Sequence, residues 1–402
     1  MRVVVIGAGF AGLAAADALA GAGVETVVLE ARDRVGGRVW SRELPNGAVV
    51  EMGAEFVLPG NDTLRSYVER FGLGFWDKGM RYGSREPRGI SVDPEALHEA
   101  LAAIAAEVPA AAAAGESAAA LLDRLALDAA AREAIRARLE VSCAAAAERV
   151  GAAELAGIAA HSDDPCPSVA GGNQRIALEL ARILGASVNL SSPVERVRWD
   201  GRGAVVSTDG GEVGADRLVL AVPPSVIGRI AFEPALPASL RDAYAAVELG
   251  HAAKLFVPLT ASAAPSAVLS VPERWWCWTA TGADGVQPVV SAFAGSAPAL
   301  AGLRVEDGAQ AWLDSMARLR PDLSLEPHGV VLSTWDDDPW VGGAYSVTAP
   351  APAAWAPAGP FHACGEHTHE RHRALMDGAL ASGLRAAQEI LRADSLPATP
   401  DS

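Results

Sequence analysis

The chain has 402 residues, half of them hydrophobic, with a net charge of −16 at pH 7 and four cysteines. That length allows two domains with sizeable cores, and the acidic balance argues against the basic patches that nucleic-acid binding needs; it could steer cationic substrates, with general solubility the alternative for most of that charge. No apolar run of about eighteen residues has the make-up of a membrane span, and the cysteines lack a disulfide framework, so a cytoplasmic protein is expected.

Residues 3–6 read as a strand, followed at once by Gly7, Gly9 and Gly12, a small-residue helix, and a second apolar run, 26–29, closed by Glu30. Each part suits a dinucleotide. Gly7 permits the tight turn, Gly9 lets the backbone approach a pyrophosphate, and Gly12 lets helix and strand pack closely. The helix N-terminus offers unpaired N–H groups to phosphate, and Glu30 accepts from ribose hydroxyls. An alanine-rich secretory leader is the alternative; the glycines, the second strand and the polar 30–38 segment speak against it. Arg32 and Arg38 flank Gly36 and Gly37. Two guanidiniums beside a glycine turn suit phosphate oxygens, and a purely structural loop is the alternative.

Residues 64–71 read as an amphipathic helix and 94–160 as a helical region broken at Pro109 and Gly115. Between them lie Arg81, Tyr82 and Arg85, where an arginine could receive a carboxylate. A glycine turn enters a helix at 171–184, and a strand follows at 186–190. A small β-meander with a hairpin at Asp200 and Gly201 precedes a buried strand, 218–222, stopped by Pro223 and Pro224. Strands at 251–259, 266–271, 275–282 and 288–295 come next, then a helix at 305–319. Lys254 sits inside the first of these. An ammonium buried in an apolar strand demands a partner or a lowered pKa, unless the strand lies at an edge or the side chain snorkels. Trp275, Trp276 and Trp278 would line a cavity or fill a core. The last segment, 345–391, returns to strand, glycine and helix. It holds His362, His367, His369 and His372, a spacing zinc can use, without the usual cysteine or carboxylate pattern.

The order of these motifs resembles the flavin-containing amine oxidases, the family of monoamine and polyamine oxidases. The likeness covers nearly the whole chain: GAGFAG, Glu30 and RVGGR, EMGAEF at 51–56, AGGNQRIA at 170–177, SPVERV at 192–197, ADRLVLAVPP at 215–224, HAAKLF at 251–256, TWDDDPWVGGAYS at 334–346, and CGEHTHERHRALMDGALASGLRAAQEIL at 364–391. It implies a two-domain α/β flavoprotein. A Rossmann-type FAD-binding domain would be assembled from 1–57, 166–237 and 341–392. A mixed-sheet and helical substrate domain would come from 58–165 and 238–340, with 393–402 a flexible tail. FAD would lie along Gly7, Gly9, Gly12, Glu30, Ala31, Arg32, Gly37, Arg38, Gly53, Ala54, Glu55, Val194, Trp335, Gly365, Glu366, Leu375 and Met376. The histidines would then be loop residues beside the cofactor.

By the same resemblance, Lys254 holds a water beside the flavin and serves its reaction with dioxygen. Trp335 packs beside the isoalloxazine, and Tyr345 is one of two rings that hold the amine. Three departures stand out. Ala344 replaces the cysteine through which monoamine oxidases bond the flavin, so non-covalent FAD is expected. Leu375 replaces the second ring, and Leu58 stands where polyamine oxidases have a histidine. The implied activity is oxidation of a primary or secondary amine to an imine, with dioxygen reduced to hydrogen peroxide. A biosynthetic dehydrogenase or desaturase and a non-catalytic, redox-responsive flavoprotein are the alternatives. No metal, nucleic acid or membrane partner is expected, and a homodimer is left open.

Overall fold

The computed structural model describes residues 1–160, 164–282 and 285–395. A five-stranded sheet takes the spatial order Phe361–Ala363, Arg217–Leu220, Arg2–Ile6, Glu25–Leu29, Val188–Asn189. All its neighbours run parallel. Val3–Ile6 are buried on both faces, as strands between covering layers must be. One face carries the helices Phe10–Gly21, Arg175–Leu184 and Met376–Ser395. The first and last of these cross at glycine: a Cβ on Gly383 would lie 2.1 Å from the Ala11 carbonyl oxygen. The other face packs on the sheet Gly211–Ala215, Gly203–Thr208, Arg196–Asp200, Ala231–Glu233, in which the expected meander gains a parallel fourth strand.

The second large sheet has six strands in the order Val331–Thr334, Ala252–Pro258, Gly285–Gly295, Trp275–Gly282, Ser266–Ser270, Glu86–Arg88. It is antiparallel except at its last pair. Helices Pro94–Ala113, Ala118–Arg124, Ala129–Cys143 and Leu155–Ala159 build a separate apolar cluster. The architecture is therefore α/β, with a parallel sheet and a mixed sheet flanked by helices.

Several local expectations change. Pro109 does not break its helix. It lies on the exposed side, as does Ala105, whose carbonyl loses the usual partner and can turn to water instead. The break comes past Ala113, where Gly115 takes a positive φ of 71°. The span 305–319 divides into a turn, Val305–Asp307, and a helix, Gln310–Leu319, because Gly308 adopts φ 109° between them. Pro94–Ala113 is long and apolar enough to cross a membrane by length and composition, contrary to the sequence reading. Its Ala100, Ile104, Val108 and Ala111 nevertheless pack into the helical cluster. Of the expected tail, 393–395 complete the last helix, and 396–402 lie outside the described residues.

Candidate active site

One cavity runs from the first glycine turn to an aromatic wall on the mixed sheet, and every expected site residue lines it except Gly12. Gly12 acts behind the cavity: a Cβ there would lie 2.0 Å from the Gly7 carbonyl oxygen, so the helix could not seat on the turn. Gly7 takes φ 106°, whereas a Cβ on Gly9 would meet nothing within 4 Å. It would project into the cavity, which is the opening a pyrophosphate needs. The helix beginning at Phe10 has no side-chain cap and no acid in its first turn, so its N-terminus is left for an anion. Glu30 is buried; its two carboxylate oxygens accept from the amides of Ala8 at 2.7 Å and Arg32 at 3.0 Å.

The two arginines expected to meet phosphate already have carboxylate partners. Arg32 pairs with Asp338 at 2.6 Å, and Arg38 with Glu366 at 2.9 Å. Arg38 also donates to the Ala344 carbonyl at 2.8 Å, so it ties the 30s loop to the chain's far end. Glu366 further accepts from the amides of Ser346 and Ala374 and from the Ser346 hydroxyl. Burial pushes its carboxyl up, but Arg38 and these donors outweigh it and hold the pKa below the ordinary value. Beside it, burial pulls His367 down to about 4, and neither ring nitrogen has a partner. The other histidines go elsewhere: His372 to Asp377 at 2.7 Å, His362 to Glu389 at 3.3 Å. No group of three or more metal-ligating residues gathers among the described residues. Gly9's open side, the uncapped helix, Glu30 and the unpartnered His367 together fit a dinucleotide cofactor.

Lys254 is 5 % exposed and lies in the interior of the mixed sheet, paired on both sides, so the edge-strand alternative is gone. Its ammonium donates to Glu51 O at 2.8 Å, Gly53 O at 2.9 Å and Glu55 Oε2 at 2.6 Å. An ammonium has three donors, and all three are used within the chain. Holding a water would require one of these bonds to give way. Glu55 also accepts from Lys78 at 2.7 Å, so one buried carboxylate serves two ammoniums. Burial raises the Glu55 pKa and the two lysines outweigh it, leaving it below the ordinary carboxylate value. Burial pulls Lys254 below the ordinary lysine value more than Glu55 restores it.

The neighbouring Glu51 behaves oppositely. Burial lifts its pKa from the ordinary 4.5 to about 7, although Asn173 N and Ser41 Oγ donate to it. The folded state then holds a proton that the unfolded chain releases, so stability present at low pH is lost as pH rises from about 4.5 through about 7. Glu51→Gln is expected to flatten that fall, a change on the order of 3 kcal/mol between pH 4 and 8. Denaturation midpoints at the two pH values check it, and an unchanged slope would count against a protonated Glu51.

Trp335 donates to Met52 O at 3.1 Å, and Tyr345 to Ser142 O at 2.8 Å. Both rings are thereby fixed on the cavity wall. The tryptophan cluster divides by strand alternation. Trp276 and Trp278 face the cavity with Phe56 and Tyr82, while Trp275 turns to the other face against Trp312. Tyr82 and Arg85 line the cavity and Arg81 does not. Sequence reasoning missed Phe56 and Ser142. Phe56 had a signal, adjacency to Glu55 in EMGAEF; Ser142 had none, since a serine near a helix end is ordinary.

A family model described as flavin containing amine oxidoreductase matches residues 10–157 and 99–391. Putrescine oxidase of Kocuria rosea is 30% identical over 98% of this chain and 96% of its own. A putative flavin-containing monoamine oxidase of Mycobacterium tuberculosis is 29% identical over 96% of each. Among solved structures, putrescine oxidase bound to putrescine superposes with a TM-score of 0.83 at 27% identity, covering 98% of this chain and 99% of that one.

Proposed function

The chain belongs to the flavin containing amine oxidoreductase family, and on that premise we propose that it binds FAD without a covalent bond and oxidises a primary or secondary amine, with dioxygen as the final acceptor. The observation that carries the reading is the single cavity that joins the Gly7–Gly9 turn and Glu30 to Lys254, Trp335 and Tyr345. Gly9, the Phe10 helix, Glu30, Arg38, Glu366 and His367 would hold the cofactor. The flavin, when bound, supplies the two-electron acceptor. The amine loses two electrons and two protons to become an imine; water converts the imine to a carbonyl compound and ammonia, or the remaining amine where the substrate is secondary; dioxygen takes the electrons and protons as hydrogen peroxide.

The chain's own residues bind, orient and exclude water. Tyr345, pinned through its hydroxyl, presents a fixed ring, and burial holds its phenol protonated far above neutrality, so it is no base. Phe56, Tyr82, Trp276 and Trp278 close the far wall with apolar surface. Lys254 clamps the Glu51, Gly53 and Glu55 stretch against the mixed sheet. No lining group is required as a base if the amine arrives unprotonated, so kcat/KM should rise with pH toward the amine's own pKa. Ala344, 7 % exposed on the cavity wall, offers no sulfur to the cofactor. Four unpaired cysteines support a reducing compartment such as the cytoplasm.

Acid precipitation of the yellow protein is expected to leave all the flavin in the supernatant, with the fluorescence gain on phosphodiesterase cleavage that marks FAD. Colour retained in the pellet would overturn the non-covalent reading. Anaerobic bleaching by a panel of amines, followed by peroxide detection on admitting air, tests the activity. Bleaching reversed only by an artificial acceptor would point to the dehydrogenase, and no bleaching by any amine would remove amine oxidation altogether.

A further inference from the structure

We propose that the amine oxidised here carries a carboxylate, so that the substrate is an amino acid with an apolar body, and that Arg85 receives that carboxylate. This rests on the amine-oxidising reading above.

Arg85 is 6 % exposed and lines the cavity. Its guanidinium packs against two rings, 3.8 Å from the centroid of Trp276 and 4.3 Å from that of Tyr82. Its Nε donates to the Tyr82 carbonyl at 3.3 Å, while its Nη1 is buried without a partner. No ion pair among the described residues involves it. A buried guanidinium without an anion is costly, and aromatic faces offset part of that cost without offering an acceptor. Arginine's planar fork is shaped for a carboxylate. A second donor stands on the same cavity: the Ser142 hydroxyl, also buried and unpartnered. The Ser142 carbonyl accepts the Tyr345 hydroxyl, so this donor adjoins the ring that faces the amine.

Charge within the cavity points the same way. Its lining carboxylates are Glu30, Glu55 and Glu366. Glu30 is engaged by two backbone amides, Glu55 by two lysines, and Glu366 by Arg38 and Ser346. The second ammonium of a diamine would find no unpaired carboxylate and would face Arg85. Behind Arg85, Arg138 adds a further positive charge, pulled down to about 10 by burial and by Arg85 itself. The chain's overall charge of −16 attracts cations from outside. The interior selects otherwise. For an α-amino acid the balance is R–CH(NH2)–COO⁻ + O2 + H2O → R–CO–COO⁻ + NH3 + H2O2, with the carboxylate untouched throughout.

The test compares matched pairs on the holoenzyme: racemic phenylalanine against 2-phenylethylamine, 6-aminohexanoate against pentylamine, and putrescine as the diamine. At least one carboxylate member should exceed its neutral partner in kcat/KM by about a hundredfold or more, and putrescine should trail it, because a site built around a charged contact discriminates strongly. In Arg85→Gln that ratio should collapse to within about tenfold. The ratio is taken within each variant, so partial loss of folded enzyme divides out. A second readout needs no turnover. Benzoate should quench tryptophan fluorescence through Trp276 and Trp278, and its Kd should rise about a hundredfold in Arg85→Gln and less in Arg85→Lys, which keeps charge and loses the fork. If Arg85→Gln does not fold, Arg85→Lys and Ser142→Ala carry the comparison. Neutral amines or putrescine preferred by the unaltered enzyme, with benzoate indifferent to Arg85, overturns the carboxylate and leaves amine oxidation standing. Benzoate binding that depends on Arg85, with no amine oxidised, does the reverse.

Discussion

Glu55→Ala should cost roughly 3–5 kcal/mol of folding stability, the loss expected when a buried charge is stripped of its partner. Glu55 is the only carboxylate contacting Lys254 or Lys78 among the described residues, and both lysines are buried. Removing it leaves two ammoniums in a low-dielectric pocket. Removing Lys254 instead leaves one carboxylate against one ammonium. Lys254→Met should therefore cost clearly less, although it deletes three hydrogen bonds where Glu55→Ala deletes two. Two of the three are contacts to neutral backbone carbonyls. Chemical denaturation of both variants tests the order, and equal losses would mean that contact number rather than charge balance governs this cluster. The pH dependence has a definite sign. Glu55 titrates below its ordinary 4.5 in the folded protein, so its contribution is present above that value and lost as pH falls through the lowered one. The gap between parent and variant should be widest near neutrality and narrow in acid.

What the sequence made legible here is local. Gly7, Gly9, Gly12 and Glu30 lie within 24 residues and serve backbone demands that neighbouring residues already imply. Lys254 stood out because an ammonium inside an apolar strand is anomalous without any partner being known. Its partner was not legible: Glu55 lies 199 residues away, and only the folding of the mixed sheet onto the EMGAEF segment brings them together. The same holds for Arg38, expected to meet phosphate and found tied to Glu366, 328 residues on. Arg85 was visible as a candidate, but a surface salt bridge and an unpaired buried fork look identical in sequence. The tryptophans show the converse. Period-two alternation separates Trp275 from Trp276 and Trp278 once the segment is a strand with one face on a cavity, a division the sequence reading did not draw. Pro109 shows where a sequence rule yields to context, because a helix with a solvent-facing side can lose one hydrogen bond cheaply.

Glu30→Ala is expected to yield folded protein that has lost nearly all its flavin, with affinity down by about a hundredfold or more, each hydrogen bond to a charged group contributing roughly 1.5–3 kcal/mol. The carboxylate does two jobs at once. Its oxygens accept from Ala8 N and Arg32 N, which belong to the glycine turn and to the loop leading to Arg38. Its remaining lone pairs face the cavity. On the proposed reading, alanine removes the acceptor for the cofactor's ribose; it also frees the turn beside which the pyrophosphate would lie. Glu30→Gln is the sharper variant. A glutamine has one acceptor oxygen, so its NH2 must point at one of the two amide donors, leaving a buried N–H facing another N–H. The near-isosteric change should therefore weaken flavin binding almost as much as alanine, whereas a simple loss of charge would predict a mild effect. The ratio of visible to ultraviolet absorbance after purification gives a first reading. Titration of the apoprotein with FAD gives the affinity, and circular dichroism of the apoprotein shows whether the fold survives. Full flavin retention in Glu30→Gln would show that the two amides do not depend on the carboxylate, and the turn would then be held by its glycines alone.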